Sequence, residues 1–169
     1  FQGGGAVTLE GFSPARYDLE MTYRNLRLAI PEWLKTHSSG KVTLTGDAAL
    51  PTLAGEVDLH EALYTDDLNW ERLLPEFRRR TKAPLVFDKS EEDLRYDLHL
   101  VADRGIIVNN NVADIEAKGD LWLTGTEERP GLKGNISLLS GTAQFRNNRY
   151  RLTRGTVEFV ETYAIAPIL

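Results

Sequence analysis

The chain has 169 residues, of which 41% are hydrophobic, enough for one domain with a substantial core. Its 20 Lys and Arg against 25 Asp and Glu, a net charge of −5, argue against nucleic acid as a partner. No apolar run approaches the ~20 residues of a membrane-spanning helix, and the lack of cysteine excludes disulfides and thiolate metal sites.

Residues 1–4, opening with Phe1-Gln2-Gly3, read as the remnant of a cleavable expression tag and are set apart from the fold, leaving 5–169 as a single domain. With no initiator methionine and an end just after a strand-like run, the chain reads as a fragment of a longer protein, in whose N-terminal part a signal peptide or anchor has room to lie.

The first element is "YDLEMTY", in which Tyr17, Leu19, Met21 and Tyr23 alternate with Asp18, Glu20 and Thr22. A period of two marks a strand with one apolar and one wet face. Next comes "GKVTLTG", then a polar link from Gly46 to Pro51, where Gly supplies positive φ and Pro fixes φ for a turn. "LAGEVDLH" follows, with Leu53, Val57 and Leu59 on one face. Residues 65–94 break the alternation. In Asp66 to Arg80, Trp70, Leu73, Leu74 and Phe77 recur at helical spacing around Pro75, which predicts a short helical insertion, one kinked helix or two short turns, before "PLVFD" and the loop Lys89 to Asp93. "YDLHLVA" is again a strand, with Tyr96, Leu98 and Leu100 on one face. "GDLWLTG", a link to Pro130, and "LKGNISLL" with Leu132, Ile136 and Leu138 repeat the earlier pattern. Arg146 to Arg149, "RNNR", predicts a hairpin turn. "GTVEFVE" closes the series with Val157 and Phe159 on one face. Gly55 and Gly134, inside strand patterns, predict a bulge, a bend or close approach of another backbone.

The likeness between the halves has a fixed offset of 79 residues. Arg16-Tyr17-Asp18-Leu19 falls on Arg95-Tyr96-Asp97-Leu98, Leu44-Thr45-Gly46 on Leu123-Thr124-Gly125, and Pro51, Leu53, Gly55 and Leu59 on Pro130, Leu132, Gly134 and Leu138. Two repeat units follow, about 16–64 and 95–159, of the kind that stack because neither can bury its apolar face alone. Their sum is a mainly antiparallel sheet of roughly ten strands. Its apolar face must meet a second sheet, as in a β-sandwich, close into a barrel, or curl onto itself.

The segment Gly119 to Phe159 resembles the C-terminal conserved domain of the TamB family. The pattern is carried by Gly119, Leu121, Leu123, Gly125, Pro130, Leu132, Gly134, Ile136, Leu138, Gly141, Ala143, Phe145, Leu152, Gly155, Val157 and Phe159, with Pro167 as the proline that commonly follows. Gly40 to Tyr64 is a less complete copy, and the resemblance covers most of residues 5–169. It implies a mainly β, curled, U-shaped (taco-like) antiparallel sheet with an apolar interior trough. It also implies the periplasmic part of an inner-membrane-anchored protein that works with TamA, an outer-membrane barrel, in outer-membrane biogenesis and autotransporter assembly. A further kinship, with AsmA-like bridge proteins, implies passage of phospholipids between membranes.

On that reading the trough lining is Leu44, Leu53, Val57, Leu59, Leu98, Leu100, Leu121, Leu123, Ile136, Leu138, Phe145, Leu152, Val157 and Phe159. Each methylene exposed to water costs ~0.8 kcal/mol, so a sixteen-carbon acyl chain costs on the order of 12 kcal/mol; a conduit removes that cost without capturing the chain tightly. An open sheet edge offers a second use, pairing with strands of nascent outer-membrane proteins, which alternate in the same way. A plain β-sandwich binding or structural domain is the third reading.

Enzymatic signals are absent. His37, His60 and His99 lack metal-ligand spacing and read as solvated polar-face residues, no serine sits in a G-x-S-x-G elbow, and no phosphate-binding or dinucleotide fingerprint occurs. No catalytic residue, metal site or cofactor is expected. Asn135-Ile136-Ser137 is a glycosylation sequon by letter but falls inside a strand, and Arg78-Arg79-Arg80 reads as a solvated turn.

Overall fold

The computed structural model describes residues 1–29, 32–67, 94–126, 129–145 and 148–162. They form nine strands: β1 (Gln2–Glu10), β2 (Ser13–Leu28), β3 (Leu34–Asp47), β4 (Thr52–Tyr64), β5 (Arg95–Asn109), β6 (Ala113–Thr126), β7 (Pro130–Phe145), β8 (Asn148–Leu152) and β9 (Thr156–Thr162). All nine belong to one sheet in the order β1-β2-β3-β4-β5-β6-β7-β8, and β9 also pairs with β7. The sheet does not close into a barrel among the described residues, and no second sheet faces it. The sandwich expectation is thereby corrected. The alternation also fits two packed sheets, but continuous pairing from β1 to β8 leaves only one. The helical insertion read over Asp66 to Arg80 lies mostly outside the described residues. Gln2, Gly3 and Gly4, set aside as a tag remnant, open β1 and pair with Thr22, Met21 and Glu20.

The strands are longer and fewer than the alternating runs imply. β2 and β7 have 16 residues each, and β3 to β6 have 13 to 15. β3 continues through the polar "LKTHSSG" and β5 through "DRGIIVN". Backbone pairing with neighbours on both sides carries each strand past the point where its side chains stop alternating. Bulges then reset which residues face which way.

The two repeat units share a register. Tyr17 pairs with Gly46 as Tyr96 does with Gly125, and Leu44 with Leu53 as Leu123 with Leu132. The irregularities recur as well: between β3 and β4, Ser38 opposes Leu59 and His37 opposes Glu61, while between β6 and β7, Ala117 opposes Leu138 and Glu116 opposes Ser140. Each unit has three strands, so its third strand runs in the direction of its first. A second copy set beside it must therefore begin parallel, and β4 and β5 do pair in parallel, Leu53 to Tyr96 and Val57 to Leu100. Antiparallel neighbours can be joined by a two-residue turn, but a parallel pair needs a return connection of a dozen residues or more. That requirement accounts for the long stretch between Tyr64 and Arg95, where the second copy has no counterpart.

Gly55 and Gly134 take the close-approach role. Their φ values are +147° and +119°. A Cβ at Gly55 would collide with the Lys41 carbonyl oxygen, and one at Gly134 with that of Asp120. At the β5–β6 turn, Asn110 Oδ1 accepts hydrogen bonds from the backbone N–H of Val112 (3.0 Å) and Ala113 (2.9 Å), an Asx-type closure. Its Nδ2 donates to the Asp66 carbonyl (2.9 Å), tying this turn to the start of the long connection.

Candidate functional site: an apolar sheet face

Directly opposed residues on paired strands project to the same side of a sheet. Following the pairs across the strands assembles the predicted lining into rows. Leu44 and Leu53 share a row with Leu19 and Tyr96. Leu98 and Leu123 lie in the row of Val42, Gly55 and Leu132. The next row runs Tyr23, Gly40, Val57, Leu100, Leu121, Gly134, Phe159. Beyond it, Ala102, Gly119, Ile136 and Val157 are opposed in turn. Leu59 faces Ser38, Leu138 faces Ala117, and Leu152 faces Gly141 in the row of Ile115 and Val108. The register thus brings all these positions to one side. Phe145 is placed by its backbone alone, opposite Asn148.

This side carries the buried hydrophobic residues of the strands, Tyr23, Val57, Leu98, Ala102, Ala117 and Leu121. No large side chain among the described residues is fully buried. Reading the sequence singled out the large residues and passed over Ala102 and Ala117, which are buried more deeply than any leucine of the face. Small residues carry little weight in an alternation, and only their position in a row reveals them. Ile106 was hidden for another reason. The register shift between Ala102 and Ile106 interrupts the alternation along β5.

The opposite side is polar. Lys41 pairs with Glu20 at 3.0 Å and Arg104 with Glu116 at 3.3 Å, both exposed. The three histidines lie here, but they are engaged rather than simply solvated. The His99 ring stacks on Trp122, with centroids 4.3 Å apart, and its Nε2 lies 2.7 Å from Asp120 Oδ1. The His37 and His60 rings meet edge to face at 5.1 Å, and Ser39 Oγ is 2.8 Å from His60 Nε2. No cluster of three or more metal-ligating groups occurs among the described residues. At the rim, Trp33 packs edge to face on Tyr64 at 5.4 Å, and burial, then the nearby Asp66 carboxylate, push the Tyr64 phenol above its ordinary value. A cleft of about 400 Å³ between Asp114, Glu116, Ser140 and Thr142 lies mainly on this polar side, away from the predicted lining.

Against models of protein families, residues 1–169, the whole chain, match the family described as TamB C-terminal domain. The chain belongs to the TamB family. Comparison with curated proteins gave no match, and comparison with solved structures gave none either. Membership associates this TamB domain with an envelope role in outer-membrane assembly or lipid transport, alongside TamA-type partners. No helix among its described residues is long and apolar enough to cross a membrane.

Proposed function

We propose that this TamB domain is the periplasmic part of a membrane-bridging protein. On this reading its sheet curls around the apolar face into a trough that shields phospholipid acyl chains moving between the inner and outer membranes. The observation that carries the reading is the apolar face itself. It runs unbroken through the parallel β4–β5 junction, and no second layer among the described residues covers it. A leucine on a flat, uncovered sheet face stays substantially wet, whereas Leu98 and Leu121 are buried. Curling toward that face supplies the missing neighbours. Gly55 and Gly134 and the repeated bulges are the usual devices for such a bend. Stacking equal units lengthens the trough, which gives the repeat a purpose. TamA is the expected partner at the outer membrane.

The test is native mass spectrometry with lipid extraction on the purified chain, compared with Ile136→Asp and Leu138→Asp, with circular dichroism to confirm folding. Phospholipid that co-purifies with the wild type and is lost from folded variants supports the trough. Wild type free of lipid refutes it. A second reading, reception of strands from nascent outer-membrane proteins, is favoured by the open edge. β1 ends the sheet order and all nine of its residues are exposed. Binding of barrel-strand peptides by a lipid-free domain would move that reading ahead.

A further inference from the structure

Acidic and basic residues are not evenly mixed along the chain. From Arg129 to Val157 there are six Lys and Arg residues and no Asp or Glu, which leaves fourteen Lys and Arg against all 25 acids elsewhere. In the fold this run is β7, β8 and the link to β9, at the end of the strand order opposite β1. Arg149, Arg151 and Arg154 are exposed, and none forms an ion pair with a described residue. Arg149 opposes Gln144 and Arg151 opposes Thr142, on the polar side. Tyr150 opposes Ala143 and Leu152 opposes Gly141, on the apolar side, and Tyr150 is 49% exposed. The last strand is therefore amphipathic where the apolar face ends, with guanidinium groups on one side and a half-wet phenol and a leucine on the other.

Charges on an edge strand discourage edge-to-edge aggregation, but either sign serves that purpose. An acid-free run in a chain of net charge −5 asks for an anionic partner. Guanidinium forks match phosphate oxygens two at a time. Tyrosine suits a boundary between water and hydrocarbon. A bilayer with anionic headgroups satisfies both sides of the strand, whereas an acidic protein surface accounts only for the arginines.

We propose that the β8 edge docks the domain on an anionic lipid surface. Arg149, Arg151 and Arg154 engage headgroup phosphates, and Tyr150 and Leu152 sit at the hydrocarbon boundary, so the apolar face meets the bilayer at this edge. The proposal rests on the conduit reading for its purpose but not for its test. A cation held at an anionic surface contributes about fivefold to binding, so removing three costs on the order of 100-fold.

The experiment is flotation of the 169-residue chain with phosphatidylcholine vesicles, with and without phosphatidylglycerol. Wild type is expected to float with the anionic vesicles only and to be released by salt. The triple variant Arg149→Gln, Arg151→Gln, Arg154→Gln is expected to lose about 100-fold in affinity with unchanged melting. If the triple variant does not fold, Arg154→Gln alone, outside β8, should lose about fivefold. Ile136→Asp should still float while losing co-purified phospholipid, which separates failure of docking from failure of the trough. Equal flotation with both vesicle types, or folded variants that bind as wild type does, overturns the proposal. So does a wild type that ignores vesicles and binds polyglutamate, which would identify an acidic protein as the partner.

Discussion

Replacing Gly134 with alanine tests the close approach of β7 to β6 directly. Gly134 has φ +119°, outside the regions open to L-residues, and such strain costs about 1–3 kcal/mol. The new Cβ would meet the Asp120 carbonyl oxygen and would lie 3.0 Å from Leu121 Cα and 3.1 Å from Asp120 C. All three are backbone atoms. Gly134 cannot retreat, because it is held between Leu121 on β6 and Phe159 on β9. Relief must come from bond angles, at about 1 kcal/mol for each ~7° of distortion. Alanine returns about 0.4–1 kcal/mol by restricting the unfolded chain. The net loss is on the order of 3 kcal/mol, or about 6–12 °C in Tm at ~2–4 °C per kcal/mol for a chain of this size. The control is Gly155→Ala. Its φ is not in the positive region, and its Cβ would find only Leu138 side-chain atoms at 3.7 and 3.9 Å, so its melting should stay within about 2 °C of wild type. Thermal unfolding followed by far-ultraviolet circular dichroism reads both. If Gly134→Ala melts with Gly155→Ala, the forced close approach is wrong, and so is the claim that glycine is required where β7 passes β6.

Other outcomes follow from named contacts. Asn110→Ala removes two hydrogen bonds to the β5–β6 turn and one to Asp66, and should cost about 1–2 kcal/mol in urea unfolding. Glu20→Gln breaks the Lys41 pair, whose side chains are 55% and 60% exposed, and should change stability by less than ~0.5 kcal/mol in the same assay. Tyr64 has its phenol pKa raised above 10.0, so its neutral form is favoured in the folded state. Its contribution is intact below pH 10 and is lost as pH rises through the elevated value, because the unfolded chain releases the proton first. Tyr64→Phe should therefore flatten the alkaline fall in stability, and in wild type the Tyr64 resonance should titrate above that of a model tyrosine.

The repeat, the strand type and the residues of the apolar face were legible in the sequence because each depends on local periodicity and on residues with special φ. Alternation put Leu98, Leu121 and Ile136 each on the apolar side of its own strand without knowledge of the fold. The ungapped 79-residue offset likewise matches Gly55 to Gly134, two positions where a Cβ does not fit. Bulges hid part of the face. Ile106 joins it only once the shift between Ala102 and Ile106 is known. Ala102 and Ala117 are silent in a pattern weighted by size, yet the pairing puts them among the most buried side chains.

What the tertiary structure alone decided is how many layers the strands make. A run that alternates every second residue fits one sheet, two facing sheets or a barrel equally well, because alternation defines two faces and not what covers them. The continuous pairing from β1 to β8 and the parallel β4–β5 junction settle on a single open sheet. The sequence by itself determined which face is apolar. Long-range pairing determined that the two copies join into one surface, with β1 at one edge of the sheet and the basic β8 strand at the other.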